Sequence, residues 1–449
     1  MEQSVTLSGD SFHSFLNQFD NTNKFWVAYS GGLDSSVLLH LCYLNKDKIE
    51  HDIGVIYVNH GLQQEADDWG LFCKEQCDKY DLSFDELKIS STCPEGESIE
   101  AWARDERYKI IKNHINNDHV VLMAHHLDDQ VETFFLQALR GAGPRGLAAM
   151  PYISEKSGAI FARPLLNFTR KELHDYAEIH HLLWKEDKSN SDERFDRNYL
   201  RHNLIPVIEE RWPAYRQTIE RMIEHQKESR IILNQVAIDD INQAKYKEPN
   251  CLTIKTIKTL DHERQKNLLF FWLEHLGLQI PGSKQMERII EDVIHSKNDK
   301  SPCVNWANVE IRRYKDYIYA IEASNENNID NQIEWDGDSV INLYKETLVA
   351  KNSIGCGISK DKVNNTKFVI RFRSGGEKIK PFNSDHSKTV KQLFQERSVL
   401  PWCRDKIPLI YVNNELAMIP GFCVDNKFMA GKEEASWDIQ WSGFDKVIQ

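Results

Sequence analysis

The chain has 449 residues, 28% charged and 41% hydrophobic, with a formal net charge of −12. That length predicts roughly two to four domains; no apolar run reaches about 18 residues, so no transmembrane helix is expected, and no membrane partner is expected either. The first 23 residues lack Lys and Arg and so do not read as a secretory signal, and nine cysteines without framework spacing predict reduced thiols in the cytoplasm.

The N-terminal region alternates predicted strands (25–29, 53–59, 82–87, 120–124) with predicted helices (35–44, 66–80, 99–114, 129–140). That order predicts an α/β domain with a parallel sheet covered on both faces. Ligands bind beyond the carboxyl ends of such strands. Three polar segments fall there: Ser30-Gly31-Gly32-Leu33-Asp34-Ser35, Asn59-His60-Gly61, and Ala124-His125-His126-Leu127-Asp128-Asp129.

The first segment joins a strand to a helix. Its paired glycines let backbone N–H groups turn toward a ligand, and the helix N-terminus adds partial positive charge. This is a phosphate cradle without the lysine of a GxxxxGK[ST] loop. The carboxylate of Asp34 beside phosphates implies a bridging Mg²⁺. A plain turn capped by Asp34 or Ser35 is the simpler alternative, but it needs only one such residue.

Further along, Cys73 and Cys77 lie four apart on a predicted helix with no further metal ligand nearby. Arg104 and Arg107 share a helix face and could supply the missing positive charge. The run from His125 to Asp129 gathers two imidazoles and two carboxylates, and Asp129 with Glu132 matches a capping box. Gly141-Ala142-Gly143-Pro144-Arg145-Gly146 formally matches G-x-G-x-x-G, but it follows a helix and contains proline, so a dinucleotide site is rejected. It reads as a flexible loop offering Arg140 and Arg145 to an anionic substrate. Thr169 with Glu172 opens another helix. Asp187, Asn190, Arg197 and Arg201 lie in segments dense in polar groups, for which a charged surface loop is the alternative.

Residues 216–320 read as helix-rich, 324–328 as a linker, and the remainder as a small α/β or β-rich domain with strands at 368–373 and 409–412. The expected division is 1–215, 216–323 and 333–449. Between Lys367 and Lys406 stand ten basic residues against four acidic ones. On an otherwise acidic chain this is either a phosphate-backbone contact surface or a solvated face.

The hexapeptide at 30–35 resembles the PP-loop of the ATP pyrophosphatase superfamily, whose members split ATP between the α and β phosphates. The ordered pieces SGGLDS, VNHGLQ, EAWARDERY, AHHLDDQVET, RGAGPRGL, RPLL and DKSNSDERFDRNYLRHNLIP, over about residues 25–212, resemble the bacterial tRNA(Ile)-lysidine synthetase family. RFRSGGEKIKP and LFQERSVLPWCRDKIPLIY look like that family's last domain.

The resemblance implies a cytoplasmic ligase acting on tRNA(Ile) with a CAU anticodon, with the two later domains gripping the tRNA. ATP adenylates C2 of the wobble cytidine, releasing diphosphate. Free L-lysine then displaces AMP to give lysidine. By position, Ser30, Gly31, Gly32, Leu33, Asp34 and Ser35 would hold ATP, with Mg²⁺ on Asp34. His126, Asp128 and Asp129 would contact the nucleotide or adenylated intermediate. Arg104 and Arg107 would stabilise phosphate or the activated base. Arg145, Asp187, Asn190, Arg197 and Arg201 would serve the substrates. A homodimer stays open. The rivals are a PP-loop tRNA thiolase, disfavoured because no C-x-x-C pair is present, an adenylating amidotransferase, which lacks a visible glutaminase signature, and a non-catalytic RNA-binding protein.

Overall fold

The computed structural model describes residues 7–19, 22–48, 51–61, 66–94, 96, 99–156, 158–187, 191–296, 302–322, 332–343, 346–363 and 367–448. Asn190 and the expected linker at 324–328 lie outside them. The chain divides into two compact units, Met1–Gln243 with His262–Gly277, and Ala244–Asp261 with Leu278–Gln449.

In the first unit, α1 (Gly9–Leu16) precedes β1 (Lys24–Ala28), α2 (Leu33–Asn45), β2 (Asp52–Asn59), α3 (Ala66–Lys79), β3 (Ser83–Lys88), α4 (Ile99–His114) and β4 (His119–Leu122). Then come α5 (Leu127–Leu139), α6 (Pro144–Leu147), β5 (Ile153–Lys156), β6 (Ala159–Ala162) and α7 (Arg170–Ile179). The strands form one sheet in the order β3-β2-β1-β4-β6-β5, parallel except for β5 at its edge. Buried apolar runs such as Phe25-Trp26-Val27 on β1 and Val120-Val121-Leu122 on β4 suit strands covered on both faces. α2 is buried around most of its circumference and packs on β1, α1 and α7. An all-round apolar helix can only sit inside the protein.

The strand order sets the site. The chain runs outward from β1 through β2 to β3, then crosses back to lay β4 on the other side of β1. The carboxyl ends of β1 and β4 are therefore neighbours at the topological switch point, where α/β sheets open a crevice. The 30–35 and 124–129 segments, 90 or so residues apart in sequence, leave the sheet there side by side. The unit continues through α8 (Asp196–Tyr199), a π-helical segment Leu200–Leu204, α9 (Ile205–Arg211) and the long α10 (Tyr215–Ala244).

The second unit is rich in antiparallel sheet. Cys251–Thr253, Tyr317–Glu322, Val309–Tyr314 and Cys303–Trp306 form one sheet in that order. The helices expected over 216–320 are present, and this sheet shares the same stretch. Its hairpin turns at Lys315, which is left-handed (φ 53°), a residue type that seldom marks such a turn. Gln332–Trp335, Phe368–Arg371, Leu409–Val412, Glu415–Ile419 and Cys423–Val424 form a second sheet. Asn413 and Asn414, both left-handed, close its central hairpin. A third sheet pairs Glu346–Ile354 with Ala435–Trp441, and one apolar core, including Trp335, Phe368, Phe394 and Ile439, draws on both.

Candidate active site

Gly31 turns the first loop with φ 77°. A Cβ at this position would lie 2.6 Å from Trp69 Nε1 and 2.9 Å from Cys73 Sγ, so both conformation and space require glycine. Gly32 is the N-cap of α2 and offers no side-chain acceptor, leaving the helix's first N–H groups for a ligand. Ser35 Oγ donates to the Gly32 carbonyl (3.0 Å) and accepts from the Ser30 N–H (3.2 Å), bracing the loop from within. The Lys185 N–H donates to the Gly31 carbonyl at 2.9 Å, tying a distant segment to the same turn.

On the neighbouring strand end, His126 is the N-cap of α5 and Asp129 is its N3 residue. The capping box is therefore His126 with Asp129, not Asp129 with Glu132 as the spacing suggested. The helix starts two residues earlier, which frees Glu132 for another task. His126 Nε2 lies 3.6 Å from Asp34 and 3.6 Å from Asp129. Burial pulls this imidazolium down, but Asp129, Asp34 and Asp128 together outweigh it and hold its pKa up at about 9. With both ring nitrogens protonated, Nδ1 cannot accept from the Asp129 N–H 3.4 Å away, and the half of the box that holds is the His126 N–H donating to Asp129 Oδ2 at 3.0 Å. Burial raises Asp129, yet His126 and Arg197 overcome this and keep it well below the carboxylate range.

Glu132 is 1% exposed. It accepts from Arg197 Nε at 2.8 Å and from Arg201 Nε at 2.7 Å. Both guanidiniums also lie 3.8 Å from Asp129 Oδ1. The i,i+4 arginines thus clamp two turns of α5 instead of forming a charged surface loop. Asp128 points the other way, accepting from the Arg170 N–H at 2.8 Å and from Arg216 Nε at 2.7 Å.

These elements enclose a cleft of about 1420 Å³ in the first unit. It is lined by Ser30, Gly32, Leu33, Asp34, Ser35, Arg107, Asp129, Asp187, Arg197 and Arg201 among the residues the sequence singled out. Four buried side-chain atoms of its lining residues have no hydrogen-bond partner among the described residues: Asp34 Oδ1, His60 Nδ1, Trp69 Nε1 and His125 Nδ1. Buried polar atoms are almost always satisfied, so four orphans around one cleft mark where a polar ligand belongs. Burial and Arg107 lower His60 to about 4, and burial lowers His125 to about 3, so both rings are neutral. Arg107 Nη2 lies 3.1 Å from His60 Nε2. A neutral ring facing an arginine must accept there, which puts its proton on the orphaned Nδ1.

Not every expected residue reaches the cleft. Arg104 is exposed, its guanidinium carbon 6.0 Å from the Tyr108 ring. Arg145 turns to Glu274 (2.6 Å) and Asn267 (3.2 Å) on the helix His262–His275.

Three family models match the chain: a PP-loop domain over residues 6–208, a TilS substrate binding domain over 252–319, and a TilS substrate C-terminal domain over 368–441. The tRNA(Ile)-lysidine synthase of Coxiella burnetii (strain RSA 493 / Nine Mile phase I) is 36% identical over 428 residues, covering 95% of each chain. The chain belongs to the tRNA(Ile)-lysidine synthase family. The synthase of Legionella pneumophila (strain Lens) is 35% identical, covering 94% of this chain and 96% of its own. That of Methylococcus capsulatus (strain ATCC 33009 / NCIMB 11132 / Bath) is 34% identical, covering 98% and 100%. Family membership makes the chain an ATP-using ligase of the PP-loop type. The thiolase, amidotransferase and non-catalytic readings find no support in these matches.

The structure adds cleft residues that the sequence reading passed over, Trp69 and Lys185 above all. Neither carried a signal, because each comes from an element remote from the motif it touches. Glu132 was visible only as a cap partner, and Arg216 stood in a helix read as a separate domain.

Proposed function

We propose that this chain joins free L-lysine to C2 of the wobble cytidine of tRNA(Ile) bearing a CAU anticodon. The C2 carbonyl oxygen attacks the α-phosphorus of ATP, and diphosphate leaves. The neutral ε-amine of lysine then attacks C2, AMP leaves with the former carbonyl oxygen, and lysidine forms. Cytosine C2 is a poor electrophile, and adenylation turns its oxygen into a leaving group. Family membership supports this reading, and the four unpartnered polar atoms around the phosphate loop are the observation that carries it.

In this reading the turn at Gly31 and Gly32, Ser30, Ser35 and the open N-terminus of α2 bind the polyphosphate. Asp34, with one buried oxygen lacking any protein partner, fits a single carboxylate ligand of Mg²⁺. Bound there with phosphate oxygens, Mg²⁺ would neutralise charge on the leaving diphosphate. His126, carrying a positive charge, holds Asp34 and Asp129 in place. Arg107, braced by His60, faces the activated base or phosphate. Asp187, with Asp129 between Arg197 and Arg201, is assigned to the incoming lysine. Asp128 acts through its ties to Arg170 and Arg216, which join α5 to α7 and α10. Residues 1–215 form the catalytic region, and 216–323 and 333–449 hold the tRNA. The basic run at 367–406 supports the last assignment only in part: Lys367, Arg373 and Lys388 are ion-paired with Glu334, Asp405 and Glu396.

The test is direct. Incubation with ATP, Mg²⁺, labelled lysine and the CAU-anticodon tRNA(Ile) should place label in the tRNA. No incorporation, where a known synthetase labels the same tRNA, sinks the reading.

A further inference from the structure

The phosphate loop carries no lysine of its own, and the arginines that share its cleft are already committed to protein partners. Arg104 lies outside the cleft lining, Arg107 leans on His60, and Arg197 and Arg201 are held by Glu132. A cation does stand at the loop. Lys185 lines the cleft, and its backbone N–H is bonded to the Gly31 carbonyl. Its ammonium lies 5.7 Å from the Trp69 ring centroid and 5.4 Å from that of Phe72, and it donates to the Asp68 carbonyl at 3.2 Å. Burial drives the Cys73 thiol up, and Lys185 is close enough to oppose that rise. Among the described residues no carboxylate pairs with Lys185. Next to it, the Trp69 indole N–H is buried and has no partner among the described residues, over the same turn where a Gly31 Cβ would meet it.

We infer that Lys185 and the Trp69 N–H form the cationic wall of the phosphate cradle and bind the diphosphate portion of ATP. An ammonium whose only described hydrogen bond is to a backbone carbonyl retains two donors. A second donor that is buried and unsatisfied lies beside it. Together they offer what a bare glycine turn lacks: a positive charge and a fixed N–H directed at phosphate oxygens. The lysine of a GxxxxGK[ST] loop follows its glycines directly; here the cation is delivered from residue 185 through one backbone hydrogen bond. The aromatic faces of Trp69 and Phe72 hold the ammonium in place until phosphate arrives.

This inference rests on the ATP-using reading above, and binding measurements separate the two. Titrate wild type, Lys185→Met, Lys185→Arg and Trp69→Phe with α,β-methylene ATP, inorganic diphosphate and AMP, each with Mg²⁺. Lys185→Met keeps the aliphatic packing on Trp69 and Phe72. It should weaken the ATP analogue and diphosphate by the same factor, about ten- to a hundredfold for a charge-assisted hydrogen bond, and leave AMP unchanged. Lys185→Arg should recover most of the loss. Trp69→Phe keeps the ring and removes the N–H, and should cost less than Lys185→Met. If Lys185→Met binds diphosphate within twofold of wild type, or loses AMP instead, the inference is wrong while the ATP reading stands. If wild type binds none of the three, both fail.

Discussion

The two walls of the cleft are built on opposite principles. The α5 wall is saturated: Asp129 and Glu132 answer Arg197, Arg201 and His126, and every one of these charges has a protein partner. The rest of the cleft is unsaturated: among the described residues, Asp34 on the loop, His60 after β2, Trp69 on α3 and His125 just before α5 each present a buried polar atom with no partner. The histidines differ by their surroundings: His126 is charged among carboxylates, while burial keeps its chain neighbour His125, and His60, neutral. A saturated wall resists deformation, because removing one member leaves a buried charge behind. An unsaturated wall is stabilised when a ligand completes it. One set of groups is held by its own charges, and the other leaves polar atoms for a ligand to complete.

That contrast can be broken in order of expected effect. Asp34→Ala removes an orphan, so it should abolish diphosphate release, by on the order of a thousandfold, with tRNA binding largely unchanged and a smaller loss in urea unfolding than at Glu132, because His126 keeps Asp129 and Asp128. Near-normal release would take Asp34 out of the chemistry. Glu132→Ala attacks the other wall and leaves two partly buried guanidiniums facing Asp129 alone. Chemical denaturation should show a loss of roughly 3 kcal/mol or more, and Glu132→Gln, which keeps the shape, should recover part of it. A stability loss for Asp34→Ala larger than for Glu132→Ala would reverse the comparison.

The histidines give the contrast a pH signature. His60 is neutral in the folded protein down to about 4, while an unfolded histidine protonates near 6.5. The unfolded chain therefore binds the proton first as pH falls, and stability drops between about 6.5 and 4, by roughly 3 kcal/mol for one such group. His60→Asn should make that acid limb shallower, with His125 still contributing to it, measured as the urea midpoint against pH. His126 has the opposite sign. Its folded pKa of about 9 lies above the unfolded value, so its contribution is full below about 6.5 and is lost as pH rises through 9. His126→Asn should flatten the alkaline limb only. Both variants acting on the same limb would contradict the assignment of charge.

The smallest expected effect belongs to Arg145. Its guanidinium is already committed to Glu274 and Asn267, and the Arg145–Glu274 pair is partly exposed. Arg145→Ala should cost about 1 kcal/mol or less and leave the KM for tRNA near its wild-type value. A large rise in that KM would restore Arg145 to the substrate surface.

How much of this was legible depended on distance along the chain. The strand–loop–helix at 25–44 could be read locally, because two glycines between an apolar strand and an apolar helix admit few conformations. The cap of α5 lies about one helical turn before the Asp129–Glu132 spacing, because Asp129 accepts from the His126 N–H as the N3 residue instead of capping the helix itself. Arg197 and Arg201 showed their i,i+4 spacing but not their partner, which lies 65 and 69 residues away. The sheet containing Val309–Tyr314 was hidden by short strands and a hairpin turning at lysine.

The sequence by itself determined a parallel α/β sheet, a phosphate-binding loop at the end of its first strand, and a second polar segment at the end of its fourth. Local propensity and hydrophobic period carry that much, because each element buries its own apolar face. Only the tertiary structure decided that β4 lies against β1, and so that Asp34 meets His126. Only it put Trp69 and Lys185 on the glycine turn and took Arg104 and Arg145 off the cleft. Those pairings are fixed by sheet order and side-chain direction, which depend on how remote segments pack rather than on what any one segment contains.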